Sequence, residues 1–387
     1  MIGPNKSPHL IRNLSWRYAL FGRVIGFFLL FFPAIGESAE CAQPKPVCDT
    51  RSAVFAVSAF DPMASATRIG ERLLVTSRHV VADHVEVVVY LSDKQTTTAR
   101  VIPTGYRGDL VLLEADDLPD GAVLSVVKPA VGDQVYSVGV DIRQQEVRAY
   151  SPGPVRFLPD EANPRARLHH QAFSQPGNSG GAVVDGSGKL VGIIASGGEG
   201  RSEAIPAVEI NRLRALSGSE FKQVNAKIGA AVRVCTLKIE ELQRSRSRSI
   251  DDQVARAVST TCQRSFNRQL LELAGQALGR FGRFDESVTL LKTALDEDPN
   301  AINSRISLIV TQSVSGRYEE SIEHIRWLLD HKIEDLQILR FGIQSGVWGG
   351  DRELAERALG RLKDLNPQLA VAAERFLAAP PSRPMRR

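Results

Sequence analysis

Between residues 52 and 215 the apolar positions come in short bursts. Ala53–Ser58, Leu73–Thr76, Val85–Tyr90, Leu110–Leu113 and Gln134–Val140 are such runs, with Gly, Pro or Asp between them. Runs of this length and spacing predict many short strands in a barrel or sandwich and not a βαβ sheet. Ala182–Val184 and Lys189–Ile194 flank Asp185-Gly-Ser-Gly188, which reads as a hairpin. From about Asn225 the pattern changes. Ala, Leu, Glu, Arg and Gln dominate, and apolar residues recur three or four apart, the period of helices with one buried face.

The helical half repeats itself. Gly282-Arg-Phe-Asp-Glu-Ser287 returns 34 residues later as Gly316-Arg-Tyr-Glu-Glu-Ser321, and 34 further on stands Gly350-Asp-Arg-Glu-Leu-Ala355. Pro299 and Pro367 are two periods apart, and Ala294, Leu328 and Leu362 fall in register. A glycine turn, a small residue five positions on and a late proline at this period resemble the tetratricopeptide repeat, a stack of helix pairs. Gly275 takes the close-packing position of the first unit; Ile309 and Ile343 replace it in the next two, which are therefore degenerate. Three units meet the minimum for a stable stack, whose groove suits a protein partner.

The formal charge is +4, and Lys6, Arg12, Arg17 and Arg23 against Glu37 place +3 of it in residues 1–39. The remaining +1 gives no electrostatic case for nucleic-acid binding. Arg244-Ser-Arg-Ser-Arg-Ser249, with no aromatic partners, reads as a solvated turn. The four N-terminal cations precede the apolar run Val24–Ile35 and the small residues before Ala39, the order of an export signal and too short to span a bilayer. Left uncleaved, this segment would attach the chain to a membrane. The expected location is periplasmic or secreted, where disulfides persist. Cys41, Cys48, Cys235 and Cys262 allow three connectivities, the simplest being Cys41–Cys48 with Cys235–Cys262. No C-x-x-C pair or neighbouring histidine supports a zinc site.

Three segments carry candidate chemistry. In Gln175-Pro-Gly-Asn-Ser-Gly-Gly-Ala182, glycines on both sides of Ser179 permit a tight turn that exposes its hydroxyl. The same turn can aim the amides of Gly177 and Ser179 at one point, where an oxyanion would develop. A serine hydroxyl needs a base, and His79 ends the apolar run of Leu73-Leu-Val-Thr-Ser-Arg-His79. Asp109 opens the wholly apolar Leu110–Leu113, where a carboxylate needs a partner such as an imidazole N–H.

Taken together, these segments resemble the trypsin-like peptidases, and within them the bacterial Deg/HtrA type. T-S-R-H-V-V, G-D-L-V-L-L and P-G-N-S-G-G look like that family's three motifs, in its order His, Asp, Ser, and Glu203-Ala-Ile-Pro206 is similar to its closing strand. The resemblance covers about residues 52–215. It implies an all-β double barrel of the chymotrypsin kind, with His79, Asp109 and Ser179 as catalytic triad and the Gly177 and Ser179 amides as oxyanion hole. It places Phe173 at the primary specificity pocket, favouring a small or medium apolar residue over a cationic one. It needs no cofactor or metal, and it takes protein or peptide substrates. Two departures stand out: the glycine-rich strand before the histidine here reads Ala64-Ser-Ala-Thr-Arg-Ile-Gly70, and helical repeats occupy the place of the usual PDZ module.

The expected organisation is a signal peptide at 1–39, a Cys/Pro-rich linker at 40–51, a protease domain at 52–215 and a helical linker region at 216–267. Repeats at 268–370 and a disordered tail at 371–387 complete it. The function expected is that of a serine endopeptidase whose repeats recruit substrate or partner. The alternatives are a catalytically silent interaction scaffold and a chaperone-like quality-control factor.

Overall fold

The structure is a computed structural model that describes residues 41–91, 95–160, 162–163, 165–198 and 200–384. The export-signal and membrane-attachment expectations lie outside these residues.

A short helix, α1 (Lys45–Asp49), leads into thirteen strands: β1 (Val54–Ser58), β2 (Ala64–Arg68), β3 (Leu73–Ser77), β4 (Glu86–Tyr90), β5 (Thr96–Ile102), β6 (Leu110–Ala115), β7 (Gln134–Asp141), β8 (Glu146–Ala149), β9 (Gly153–Phe157), β10 (Leu168–His170), β11 (Ala182–Asp185), β12 (Leu190–Ser196) and β13 (Ser202–Pro206). A single turn, α2 (Arg78–Val81), follows β3. The strands β1-β2-β3-β6-β5-β4 close into one antiparallel barrel, because β1 pairs with both β2 and β4. The ring β11-β12-β13-β10-β9-β7 closes a second through β11–β7, and β8 folds back on β7 as an extra strand. Closure leaves few open sheet edges, and strand alternation fills each interior. Phe55, Val57, Leu74, Val87, Val89 and Leu113 pack the first barrel, while Val135, Val155, Leu168, Val183 and Ile194 pack the second. Between them Val54, Val75, Leu110, Val138, Val184 and Ile193 form a shared core.

Helices follow: α3 (Glu209–Ala215), α4 (Lys222–Arg244), α5 (Asp252–Arg264), α6 (Arg268–Arg280), α7 (Phe284–Glu297), α8 (Ile302–Val314), α9 (Tyr318–Asp330), α10 (Leu336–Trp348), α11 (Arg352–Leu365) and α12 (Pro367–Ala378). The pairs α6/α7, α8/α9 and α10/α11 recur with the 34-residue period. Gly282, Gly316 and Gly350 take φ of +74°, +75° and +83° at corresponding turns. The small residue five positions on is fully buried in each, as Ser287, Ser321 and Ala355. At Gly275 a Cβ would stand 2.7 Å from Leu291, so only glycine lets α6 approach α7 this closely. The protein is thus an all-β double barrel followed by an all-α helical-repeat region.

The region 216–267 is a docked element. On α4 a Cβ at Gly229 would stand 2.3 Å from the Ala82 carbonyl, so the helix backbone lies directly on the turn after α2. Arg233 Nε donates to Asp83 at 2.8 Å beside it. Cys235–Cys262 ties α4 to α5, and Cys41–Cys48 ties the segment before α1 to that helix. The expected disordered tail is corrected in part. Residues 371–378 belong to α12, whose Phe376 packs edge-on against Trp348, while Arg383 donates to the Gly316 carbonyl at 2.9 Å. Apolar residues among the terminal alanines give this segment a surface to cover, which its composition did not reveal.

Closing a loop of this size restricts the unfolded chain by about 3–4 kcal/mol. The double variant Cys235→Ser/Cys262→Ser is expected to lose that much stability in guanidinium unfolding followed by circular dichroism. An unchanged midpoint would show that the α4–α5 staple contributes nothing.

Candidate active site

The pairing of β3 with β6 sets Ser77 opposite Leu110, so His79 and Asp109 leave the barrel side by side. Asp109 fixes the start of α2 through three contacts, two of them to His79. Its carbonyl accepts from Arg78 N at 3.1 Å, its Oδ1 from His79 N at 2.9 Å, and its Oδ2 contacts His79 Nδ1 at 2.7 Å. The Asp109 side chain is only 2% exposed and the imidazole 18%, so the pair is sheltered while the ring still reaches solvent. Burial alone would raise the Asp109 pKa, but His79, by charge and hydrogen bond, and Arg167 bring it below the usual range. An ionised Asp109 requires the proton on Nδ1 of a neutral His79, which leaves the Nε2 lone pair free to act as a base. Burial disfavours the His79 imidazolium; the Asp109 charge and hydrogen bond more than offset it, Asp61 adds and Arg167 opposes, so the ring pKa is raised.

Arg78 braces the His79 segment from behind. It is fully buried, donating to the Gly108 carbonyl (3.3 Å), the Tyr106 carbonyl (3.1 Å) and Asn225 Oδ1 of α4 (2.9 Å). Burial lowers its pKa to about 10, against the pull of Asp109 and Tyr106, which leaves it charged at neutral pH.

The serine turn rests on β2. Ser65 N donates to the Ser179 carbonyl (2.9 Å), Ser65 Oγ to the Gly177 carbonyl (2.7 Å), and Thr67 Oγ1 to the Gly180 carbonyl (3.0 Å). This explains a strand with no large apolar residue, all five positions of which are buried. Its hydroxyls satisfy carbonyls that the tight turn cannot pair internally. Asn178 closes the turn by accepting from Gln175 N and donating to the Val140 carbonyl, at 2.9 and 3.0 Å. Gly177 (φ +96°) and Gly180 (φ +84°) are obligatory here, since a Cβ would stand 2.7 Å from the Val140 carbonyl and 2.1 Å from that of Ser65. Within the turn Asn178, Gly180 and Gly181 donate to carbonyls, whereas the amides of Gly177 and Ser179 donate to no backbone carbonyl among the described residues. Two unused donors thus flank the Ser179 hydroxyl. No hydrogen bond joins that hydroxyl to His79 in this conformation. Phe173 lies half exposed against Tyr150, with ring centroids 5.5 Å apart.

The sequence reading did not find the residues around this centre. Arg78 stood next to His79 without a role, Glu203 served only as part of a strand motif, and Arg167, Asn225 and Arg268 were not singled out. A readable signal existed in part: a charged residue immediately before each of two short buried strands' apolar stretches, at 167 and 203, is costly unless paired.

Replacing Asp109 by Asn removes the charge that raises the His79 pKa and leaves burial dominant. The ring of Asp109→Asn is therefore expected to titrate below the ordinary histidine value of about 6.5, read by NMR of labelled histidine. An unmoved titration would mean that the two side chains are not coupled.

Residues 64–193 match the family described as trypsin-like peptidase domain. A probable periplasmic serine endoprotease DegP-like of Pseudomonas fulva is 34% identical over 143 residues, covering 34% of this chain and 30% of that protein. The protein so described in Hahella chejuensis is 35% identical over 146 residues, with the same coverage. The chain thus spans less than a third of the length of these curated relatives. Among solved structures, the Rv3671c protease of M. tuberculosis, in an inactive form, matches at 21% identity and a TM-score of 0.39, over 45% of this chain and 97% of that one. The double barrel of this chain is accordingly similar to the trypsin-like serine peptidase domains of the Deg/HtrA type, and it stands in front of a helical-repeat region.

Proposed function

We propose that the protein is an exported serine endopeptidase in which Ser179 attacks the scissile carbonyl of a protein substrate. His79 Nε2 takes the serine proton and returns it to the leaving amine. Asp109 holds the ring in the required tautomer and stabilises its charged form, while the Gly177 and Ser179 amides receive the developing oxyanion. The observation that carries this reading is the coincidence of a sheltered His79–Asp109 pair with a serine turn whose two flanking amides are unused. The half-exposed Phe173 would offer an apolar surface to the residue before the scissile bond, favouring small or medium apolar side chains. The helical repeats, similar to tetratricopeptide units, would hold substrate or partner. The signal-like N-terminal sequence and the relatives' description as periplasmic support export to the periplasm.

One observation favours a second reading, a silent interaction scaffold: the missing Ser179–His79 hydrogen bond. Catalytic hydrogen bonds often tighten only when substrate binds, so the endopeptidase reading is preferred. A serine-directed fluorophosphonate probe is expected to label the mature protein, and Ser179→Ala to abolish both labelling and casein cleavage. Folded wild-type protein that neither labels nor cleaves would leave the scaffold reading standing. Suppression of client aggregation by Ser179→Ala would add the chaperone-like role.

A further inference from the structure

Behind Asp109 lies a chain of buried charges that the proposed reaction does not use. Arg167, the residue before β10, is 3% exposed at its side chain and reaches Asp109 Oδ2 with one guanidinium nitrogen at 3.9 Å. That oxygen is the one that holds His79 at 2.7 Å. The other nitrogen of the fork donates to Glu203 Oε2 at 3.0 Å and to Ser196 Oγ at 3.3 Å. Glu203 Oε2 accepts in turn from Ser196 Oγ at 2.8 Å and from Arg268, the first residue of α6. Arg268 also stands 3.6 Å from Asp298 Oδ2, which accepts from Arg167 N at 3.3 Å and contacts His169 Nε2 at 2.9 Å. A continuous line of ionic groups, Asp109–Arg167–Glu203–Arg268–Asp298, therefore runs from the catalytic candidate to the helical repeats. All five residues are buried.

We infer that Arg167 is a positioning residue for the His79–Asp109 pair, and that the helical repeats set its position through Arg268 and Glu203. A guanidinium free to move would close on Asp109 and compete with His79 for Oδ2, since a bidentate Arg–carboxylate pair is strong in a dry site. Glu203 and Ser196 hold one edge of the fork and keep the other just beyond hydrogen-bond range of Asp109. Glu203 stays ionised there because Arg268 supplies a second positive charge: burial pushes its carboxyl up, but Arg268, Arg167 and His169 hold it well below the usual range. Arg268 belongs to the first helix of the repeats, so the stand-off distance depends on how α6 is docked. The charged groups that face His79 are Asp109 from the start of β6, Asp61 from the β1–β2 connection and Arg167; Arg78 acts through Asp109. Of these, Arg167 is the one that opposes the imidazolium.

This inference rests on the endopeptidase reading for its functional meaning, but its test does not require turnover. The His79 ring is titrated by NMR of labelled histidine in the full-length protein, with His79→Gln to assign the signal, and kcat/KM for a peptide substrate is followed against pH. Arg167→Gln removes the opposing charge, so the ring titration and the acid limb of kcat/KM are both expected to move to higher pH; Arg167→Lys, which keeps the charge, should restore most of the original values. Arg268 makes no contact with His79, yet Arg268→Gln should move both to lower pH, because Glu203, no longer held ionised by its second cation, releases Arg167 toward Asp109. A folded Arg167→Gln protein with an unmoved His79 titration overturns the inference, and where that variant does not fold, an unmoved titration in Arg268→Gln does so. A wild-type protein that shows no cleavage but a moved His79 titration in Arg167→Gln would sink the peptidase reading alone.

Discussion

Glu203 is the group on which the union of the two halves depends. Its carboxylate lies within β13 in the second barrel, where burial of an unpaired charge would be prohibitive. Arg167 from the same barrel supplies one partner and Arg268 from α6 the second. Removing one member of such a buried set typically costs about 3–5 kcal/mol, because the others are left charged and dry. The barrel therefore carries a residue that is fully compensated only when the helical region is docked. That makes the helical region part of the condition under which this β-fold is stable, beyond its role as an attached module.

The same dependence is visible on the opposite side of the site. Arg78 holds the two loops that present His79 and Asp109, and its outward nitrogen is satisfied by Asn225 of α4. The helix touches the turn after His79 backbone to backbone at Gly229, and the Arg233–Asp83 pair fixes its rotation. Helices thus support the histidine from one direction and the aspartate from another. Domains joined by polar, exposed interfaces usually move relative to each other. Here the contacts are buried, charged and short, so a change in the helical region has a physical route to the Asp109 carboxylate and, through it, to the His79 ring.

What the sequence revealed followed from period and local rule. Strands such as β3, β4 and β7 were legible because alternating or continuous apolar runs of their length have few other uses, and the repeats because the Gly282, Gly316 and Gly350 turns recur at a fixed spacing. His79, Asp109 and Ser179 were proposed from motifs in order, though sequence could not say that Ser179 and His79 stand without a hydrogen bond between them. β2 was harder to read, since its small polar residues are buried to serve the serine turn 112 positions away, as from Ser65 to Gly177. The ionic chain was not legible at all. Its partners are separated by 36 residues between Arg167 and Glu203, 65 between Glu203 and Arg268, and 131 between Arg167 and Asp298. No local pattern encodes such pairings; only the folded path brings them together. The terminal segment failed for a related reason, because α12 is stabilised by what it covers more than by its own composition.

The choice of charged groups at this junction has a consequence for orientation. An apolar interface gains free energy roughly with area and tolerates sliding. An ionic cluster in a dry site is favourable only when each donor meets its acceptor, and it penalises every other register. The junction combines the two kinds. Phe157 of β9 packs at a tilt against Trp327 and His331 of α9 and its end, with ring centroids 5.5 and 5.3 Å away, which supplies area. The Glu203 cluster supplies register, and α4 on the His79 turn supplies a third, separate point of attachment. Three such points determine the placement of a rigid body completely, and two of the three bear directly on His79 and Asp109. The helical region is therefore held in one orientation by the very residues that hold the His79–Asp109 pair, so neither can shift without disturbing the other.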